Sequence, residues 1–227
     1  MKLSVVGTGY LGATHAACMA RLGHEVLGVD IDETKLGKLR SGEMPFYEPG
    51  LEELTREMVA TGRLQFTSSY AEAAEFADVH FLAVGTPQKR GEFAADVSAI
   101  ESVVASLGPM INRPAVILGK STVPVGTAHE MRALARSLSP AGDQLDLGWN
   151  PEFLREGHAI KDGRGLARRL AEYDGETLRL KLRRDSQLLS RTLKGVRACR
   201  YGVGLLIDDA INAFADGKSV TITSGMM

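Results

Sequence analysis

Three glycines near the N-terminus constrain the fold of this chain more than any other feature. Gly7, Gly9 and Gly12 form a Gly-x-Gly-x-x-Gly turn, which follows the apolar run 2–6 and opens a helix-like stretch at Tyr10. In this context the first glycine permits a tight turn, the second lets the backbone approach a pyrophosphate, and the third lets helix and strand pack closely. The sequence therefore predicts a strand, a turn and a helix arranged as in dinucleotide-binding domains.

Strand-like and helix-like patterns alternate regularly from this turn up to residue 149. We predict strands over residues 2–6, 25–29, 64–67, 79–84, 115–118 and 145–149, and helices over 10–22, 31–40, 50–60, 70–76, 96–107 and 126–137. Asp32 is suited to cap the second helix. Because the predicted strands are apolar throughout and separated by helices, they favour a parallel sheet covered on both faces. The predicted fold class is α/β, a doubly wound parallel sheet of the Rossmann type.

An abrupt change in charge begins at Gly163. Residues 163–200 carry eleven Lys and Arg against four Asp and Glu, whereas the rest of the chain carries 16 against 24. We therefore predict that the α/β domain spans residues 1–162 and that an atypical, Arg-rich basic segment follows over 163–205. Its periodicity fits a strand and a helix equally well. Because aromatic residues are sparse there, we expect a solvated tail rather than a nucleic-acid surface.

The cysteine count and the uncharged N-terminal run bear on where the chain resides. Cys18 and Cys199 are the only cysteines and cannot form a disulfide framework, which indicates a reducing compartment and hence the cytoplasm. Glycines and polar residues interrupt the run 3–20, so we expect a buried strand and helix there rather than a signal peptide or membrane span. We predict a buried apolar role for Cys18, no catalytic role for Cys199, and no metal site.

The second predicted strand ends beside an acidic residue. Asp30 follows Gly7 by 23 residues, and a carboxylate at this position accepts hydrogen bonds from ribose hydroxyls in dinucleotide sites. A 2′-phosphate would meet a like charge there, so the sequence favours NAD over NADP as the cofactor. Gly85 and Thr86 follow the fourth predicted strand, at the sheet edge where ligands bind, although an ordinary turn explains them equally well.

Three further segments carry a family resemblance. They are residues 42–51 (GEMPFYEPGL), 120–126 (KSTVPVG) and 150–157 (NPEFLREG). Together with the glycine turn, and in this order, they resemble the signatures of nucleotide-sugar dehydrogenases, the UDP-glucose/GDP-mannose dehydrogenase family. The resemblance is greatest to the members that act on UDP-glucose. It runs without a gap from residue 1 to about residue 162 and then stops.

This resemblance implies a reaction and a set of site residues. The family oxidises the C6 alcohol of UDP-glucose to the carboxylate of UDP-glucuronate by two hydride transfers to NAD⁺. Its cofactor residues fall here on Gly7, Gly9, Tyr10, Leu11, Gly12, Asp30, Lys35, Thr86, Thr122 and Glu156. Its substrate residues fall on Glu152, Phe153, Leu154, Arg155, Glu156 and Asn212. Judged by its own sequence context, without the resemblance, Lys35 is better explained as a solvated helix lysine.

Three residues match the catalytic positions of the family. An alcohol that loses hydride also loses a proton, so a base or a base-held water is needed within about 3 Å. The resemblance implies that Thr122 and Glu156 hold such a water, and that Glu152 transfers a proton when a thioester intermediate is hydrolysed. Judged from spacing alone, without the resemblance, two glutamates four residues apart are more typical of a helix start, where the dipole favours carboxylates.

The second half of the family pattern is largely missing from these 227 residues. The Gly-Gly-x-Cys-x-Pro-Lys-Asp segment that carries the family's catalytic cysteine does not occur. Residues 206–227 faintly resemble the family's central helix, with Asn212 in register and Asp208 where a catalytic lysine stands. We therefore expect a shortened member of the family that binds NAD but has little or no complete turnover.

Three alternatives stay open at this point. The chain could serve a dehydrogenase of the same family that acts on GDP-mannose or on a UDP-N-acetylhexosamine, because the missing half selects the sugar nucleotide. It could also be a non-catalytic NAD-binding module whose basic segment binds nucleic acid or an acidic protein.

The resemblance also implies an assembly. Members of the family are homo-oligomers, and the sequence does not decide the oligomeric state of this chain.

Overall fold

The computed structural model describes residues 1–150, residue 154 and residues 156–160. Its strands are β1 (Lys2–Val6), β2 (Glu25–Val29), β3 (Leu64–Thr67), β4 (Val79–Leu82), β5 (Ala115–Gly119) and β6 (Leu145–Trp149). Its helices are α1 (Tyr10–Arg21), α2 (Glu33–Arg40), α3 (Leu51–Ala60), α4 (Tyr70–Phe76), α5 (Ser98–Leu107) and α6 (Thr127–Leu138), with 3₁₀ turns at Gly108–Met110 and Gly142–Gln144. Each predicted strand and helix is present, with ends that differ by up to two residues.

All six strands of this part of the chain pair in parallel, in the order β3-β2-β1-β4-β5-β6. The chain first builds outward from β1 to β3, then returns to the other side of β1 to add β4, β5 and β6. The prediction of a doubly wound, Rossmann-type parallel sheet is confirmed. Reversal of the strand order between β1 and β4 opens a crevice at the carboxyl ends of these strands, where such sheets bind ligands.

The core lies on both faces of the sheet, which explains why the strands are apolar throughout. Leu3 and Val5 of β1 belong to the cluster formed with α1, α2 and α3. Val6 belongs to the opposite cluster, formed with α4, α5 and α6. Successive residues of one strand thus enter different hydrophobic layers, as the pleat of a strand requires.

Helix starts follow the side chains that cap them. The Asp32 carboxylate accepts a hydrogen bond from the Lys35 amide at 3.1 Å, so α2 begins at Glu33 rather than at the predicted residue 31. The Ser69 hydroxyl accepts one from the Glu72 amide at 3.2 Å at the start of α4. Both caps satisfy amides that a helix leaves without partners in its first turn.

Cys18 is buried in α1, as predicted. None of the helices in the described part of the chain is long and apolar enough to cross a membrane. The division at residue 163, the basic segment 163–205, the predicted helix remnant 206–227 and Cys199 lie outside the described residues, so those expectations stay predictions.

Candidate functional site

The glycine turn occupies the crevice between β1 and β4. Gly7 has a φ of +92°, and a Cβ there would lie 2.9 Å from the Ala83 carbonyl group. A Cβ on Gly12 would lie 1.7 Å from the carbonyl oxygen of Gly7. The positive φ of Gly7 and the close contacts at both positions exclude larger residues there. The turn therefore has the geometry that the sequence pattern predicts for its first and third glycines.

Gly9 differs from its two neighbours in the motif. Its φ is −69°, and a Cβ there would meet no heavy atom of the described protein within 4 Å. It stands at the N-cap of α1, where no described side chain caps the helix and no acidic residue occupies the first turn. The open space faces unsatisfied amides at the positive end of a helix, which is an arrangement that binds phosphate. The space beside Gly9 is therefore a candidate site for a pyrophosphate.

Asp30 is held in place from three sides just after β2. Its Oδ2 accepts hydrogen bonds from the Thr8 amide at 2.9 Å, the Thr8 hydroxyl at 2.8 Å and the Lys35 ammonium group at 2.8 Å. Its Oδ1 accepts one from the Asp32 amide at 3.1 Å. Lys35 is thus paired with a predicted cofactor residue and is not simply a solvated helix lysine. The contribution of Thr8 was not predicted.

These hydrogen bonds decide the charge of Asp30. Burial by itself raises the pKa of this carboxyl, but the hydrogen bonds from Lys35, Thr8 and Asp32 outweigh burial and leave the pKa below its ordinary value. Asp30 is therefore ionised at neutral pH. Oδ1, which accepts a single hydrogen bond from the described residues, keeps the capacity to accept one from a ribose hydroxyl.

Thr86 and Thr122 meet at the same edge of the sheet, beyond β4 and β5. The Thr86 hydroxyl donates to the Thr122 carbonyl oxygen at 2.7 Å, and the Ser121 hydroxyl donates to the Val84 carbonyl oxygen. Trp149, at the end of β6, donates its indole N–H to the Ser121 carbonyl oxygen at 2.6 Å. The loops that follow β4 and β5 and the end of β6 are thereby held together, with Thr122 exposed.

Glu48 joins the turn near α1 to the segment 156–160, a role that the sequence did not predict. Only 5 % of this residue is exposed. Its Oε2 accepts hydrogen bonds from the Tyr10 hydroxyl at 2.7 Å and the Gly157 amide at 2.8 Å, and its Oε1 accepts one from the Ala159 amide at 2.9 Å. Glu48 lies within the segment 42–51 that carries the family resemblance. Its place in that segment is the sequence feature that could have pointed to this role.

A cavity of about 470 Å³ opens beside this carboxylate, with Tyr10, Phe46, Glu48 and Glu156 among its lining residues. The rings of Tyr10 and Phe46 are 5.2 Å apart between centroids. Burial, then the hydrogen bond to Glu48 and the charges of Glu48 and Glu156, raise the pKa of Tyr10 well above its ordinary value. Glu156 therefore lies near the N-terminal end of α1, although it makes no hydrogen bond with Thr122 in the described structure.

The remaining predicted substrate residues are described only in part. Leu154 is half-buried and Glu156 is exposed. Glu152, Phe153, Arg155 and Asn212 lie outside the described residues, so their roles stay predictions. Within the described part of the chain, no group of three or more His, Cys, Asp or Glu side chains is placed to hold a metal ion.

The sheet order and this site define a class of protein. A doubly wound sheet, with a glycine turn after its first strand and a carboxylate after its second, is a dinucleotide-binding domain. A family model described as "UDP-glucose/GDP-mannose dehydrogenase family, NAD binding domain" matches residues 1–171. The chain belongs to this family, and the predicted resemblance and the predicted cofactor, NAD, are confirmed.

Curated relatives include enzymes for two sugar nucleotides. The chain is 43 % identical over 162 residues to a UDP-glucose 6-dehydrogenase of Rhizobium meliloti (strain 1021), an alignment covering 71 % of this chain and 37 % of the relative. It is 41 % identical over 169 residues to a GDP-mannose 6-dehydrogenase of Pseudomonas syringae pv. syringae, covering 71 % and 38 % respectively. The chain thus spans a little over a third of the length of these relatives.

Solved structures show the same relationship. A ternary complex of GDP-mannose dehydrogenase from Pseudomonas aeruginosa matches with a TM-score of 0.68 and 39 % identity, over 71 % of this chain and 38 % of that one. A UDP-glucose dehydrogenase from Pyrobaculum islandicum matches with a TM-score of 0.68 and 27 % identity, over 96 % of this chain and 65 % of that one.

Proposed function

We propose that this chain binds NAD⁺ in the crevice between β1 and β4 and serves the oxidation of the C6 alcohol of UDP-glucose to the carboxylate of UDP-glucuronate. One observation carries the proposal: the open helix N-terminus at Gly9 lies beside an ionised Asp30 that Thr8 and Lys35 hold in place. The first arrangement suits a pyrophosphate, and the second suits the ribose next to it.

Each part of the cofactor has residues suited to hold it. The backbone from Gly9 to Gly12 would receive the pyrophosphate, and Asp30 with Lys35 would receive the adenosine ribose. Thr86, Thr122 and Glu156 would surround the nicotinamide end, since Thr86 and Thr122 already meet at the adjoining sheet edge. When bound, NAD⁺ supplies the acceptor for the hydride. The protein supplies orientation and the route for the proton.

The proton chemistry falls to the late acidic residues. We assign Thr122 and Glu156 to hold a water that receives the proton of the alcohol, because a hydroxyl and an ionisable carboxylate are suited to that task. We assign Glu152 to proton transfer during thioester hydrolysis, and residues 152–156 with Asn212 to contact the substrate. These assignments rest on the family motif that the chain carries at residues 150–157.

GDP-mannose is the second candidate substrate. Relatives that carry GDP-mannose 6-dehydrogenase in their names are 41 % identical to this chain, close to the 43 % of the UDP-glucose 6-dehydrogenase from Rhizobium meliloti. The first experiment therefore compares UDP-glucose and GDP-mannose, each added with NAD⁺, while NADH is followed by absorbance. Binding of each sugar nucleotide is measured in parallel by calorimetry. Stronger binding or faster reduction with GDP-mannose would reverse the order of the candidates.

We also propose a cytoplasmic location and a homo-oligomeric assembly. The buried Cys18 thiol belongs to a chain with two cysteines, a usage typical of reducing compartments. Oligomerisation follows the behaviour of the family. Sedimentation of the purified chain at several concentrations tests the assembly, and a single monomeric species throughout would contradict it.

Calorimetry with NAD⁺ tests the cofactor site directly. We expect the full 227-residue chain to bind NAD⁺ and Asp30→Ala to weaken binding by about tenfold or more, because the ribose loses a charged acceptor. Asp143→Asn is the matched control, since Asp143 lies in the exposed turn before β6. No heat of NAD⁺ binding to the folded chain, or equal affinities for the wild type and Asp30→Ala, would contradict the proposal.

A further inference from the structure

We propose that Glu48 is a positioning residue that fixes Glu156 relative to the phosphate-binding end of α1. This inference deepens the proposed function and rests on it, since Glu156 is assigned there to the nicotinamide end of the cofactor. The contacts of Glu48 join two parts of the site that are more than a hundred residues apart in sequence.

The burial of Glu48 indicates a specific role for its charge. A carboxylate that is only 5 % exposed is costly unless hydrogen bonds replace its water. Glu48 receives three such bonds, from the Tyr10 hydroxyl and from the amides of Gly157 and Ala159. Burial raises the pKa of this carboxyl, but the hydrogen bonds from Tyr10, Gly157 and Ala159 outweigh burial, so the pKa lies below its ordinary value. Glu48 is thus a fixed negative charge.

The bond to Gly157 acts directly on Glu156. The Gly157 amide and the Glu156 carbonyl belong to one planar peptide unit, so holding the amide also orients the backbone of Glu156. Gly157 has a φ of +79°, a conformation that glycine adopts readily. The turn after Glu156 therefore depends on this glycine and on the carboxylate that receives its amide.

The bond to Tyr10 connects the same carboxylate to the glycine turn. Tyr10 is the first residue of α1 and follows Gly9, whose surroundings are open to a phosphate. Its ring packs against Phe46, two residues before Glu48. Glu156 lines the same cavity as Tyr10 and Glu48. The Glu48 carboxylate thus sets the distance between the predicted pyrophosphate site and Glu156, which is predicted to hold the catalytic water.

The experiment compares Glu48→Gln with Glu43→Gln in the full chain. Glutamine keeps the shape of Glu48 but turns one acceptor into a donor that faces an amide, whereas Glu43 is an exposed carboxylate of the same loop. We expect hydrogen exchange at Gly157 and Ala159, followed by NMR, to become faster in Glu48→Gln and to stay unchanged in Glu43→Gln. The NAD⁺ dissociation constant should rise by about tenfold in Glu48→Gln alone.

A double-mutant cycle separates positioning from general support of the fold. If Glu48 acts through Glu156, Glu48→Gln should weaken NAD⁺ binding far less in a Glu156→Gln background than in the wild type. A merely structural role predicts the same loss in both backgrounds, and that result would overturn the inference. Unchanged exchange at Gly157 in Glu48→Gln would overturn it as well.

The cycle also distinguishes this inference from the proposed function. If the wild-type chain binds NAD⁺ and Glu48→Gln binds it equally well, only the role of Glu48 is refuted. If the folded wild type does not bind NAD⁺, the proposed function itself is refuted, together with the inference that rests on it.

Discussion

At the scale of single residues, the glycines of the turn differ in whether the packing of the protein or the binding of a ligand requires them. A Cβ on Gly12 would collide with the Gly7 carbonyl oxygen, whereas a Cβ on Gly9 would enter open space with an ordinary φ. Gly12 is therefore required by the packing of the protein. Gly9 is required only if a ligand occupies the space beside it, and this contrast between the two glycines gives a testable prediction.

We expect Gly9→Ala to change the free energy of unfolding by less than about 0.5 kcal/mol while weakening NAD⁺ binding by about tenfold or more. Gly12→Ala, by contrast, should cost about 3 kcal/mol of stability, because the added methyl group overpacks a closed site. Urea unfolding measures the stabilities and calorimetry measures the affinity. Full NAD⁺ affinity in a folded Gly9→Ala variant would contradict the proposed position of the pyrophosphate beside Gly9.

Asp30 shows how one side chain combines local and tertiary information. Its position after β2 follows from the sequence, and its acidic type suits a ribose. Its fixed orientation comes from Thr8 on the neighbouring turn and from Lys35 on α2, both at hydrogen-bond distance. These contacts hold the carboxylate ready before a ligand arrives, which reduces the ordering that binding requires.

At the scale of elements, α2 is the helix that carries Lys35 to Asp30. Its N-cap is Asp32, whose amide also donates to Asp30. The start of the helix and the cofactor carboxylate are therefore linked through consecutive residues. Loss of the Asp32 cap should therefore destabilise the start of α2 and also the position of the Asp30 carboxylate.

We expect Asp32→Ala to lower the free energy of unfolding by about 1 kcal/mol, because the Lys35 amide loses its side-chain acceptor. The NAD⁺ dissociation constant should rise severalfold as well. Glu33→Ala in the same helix is the control, since the exposed Glu33 carboxylate interacts with the side chains of Arg40 and Ser68. Equal losses of stability in the two variants would contradict the capping role. Thermal unfolding followed by circular dichroism measures both.

The β5–β6 pair positions the other end of the site. A Cβ on Gly119 would lie 2.4 Å from the indole of Trp149, so the two strands approach closely where they end. Trp149 then holds the Ser121 carbonyl, one residue before Thr122. Since Trp149 is the single tryptophan of the chain, its fluorescence reports directly on this segment.

At the scale of the whole molecule, buried histidines make the fold sensitive to acid. Burial, reinforced by the charge of Lys120, lowers the pKa of His15 to about 3. Burial and the charge of Arg113 lower the pKa of His80 to about 4, against a partial opposing effect of Asp78. Both histidines are therefore neutral in the folded chain at neutral pH and remain so down to about pH 4 to 5. In the unfolded chain they would take up a proton with the ordinary pKa of about 6.5.

The sign of the pH dependence follows from these values. Between pH 6.5 and about 4 the unfolded state binds more protons at His80 than the folded state does, so stability falls as the pH falls. We expect His80 to account for about 2 kcal/mol of the stability lost between pH 7 and pH 4.5. His80→Gln should reduce that loss, whereas His129→Gln, on the exposed side of α6, should not. Urea unfolding at both pH values checks this, and identical losses in both variants would contradict it.

The sequence by itself determined the features that depend on neighbouring residues. Strand and helix patterns, the glycine turn, the cap at Asp32 and the acidic residue after β2 all follow from local conformation and periodicity, which a short stretch of chain already contains. The family motifs added the site residues, which stay predictions. Two strand ends were misplaced: β5 continues to Gly119 rather than ending at residue 118, and β4 stops at Leu82 rather than at residue 84. The end of β4 follows from its partner β1, which ends at Val6, where the glycine turn begins.

Only the tertiary structure decided which distant residues meet. The pairing of Glu48 with Gly157 spans 109 residues, and that of Thr86 with Thr122 spans 36. Such contacts depend on the order of strands in the sheet and on the paths of the loops, neither of which leaves a periodic signal in the chain. Periodicity reports the face on which a residue lies, whereas the sheet order β3-β2-β1-β4-β5-β6 selects the side chain that lies opposite it.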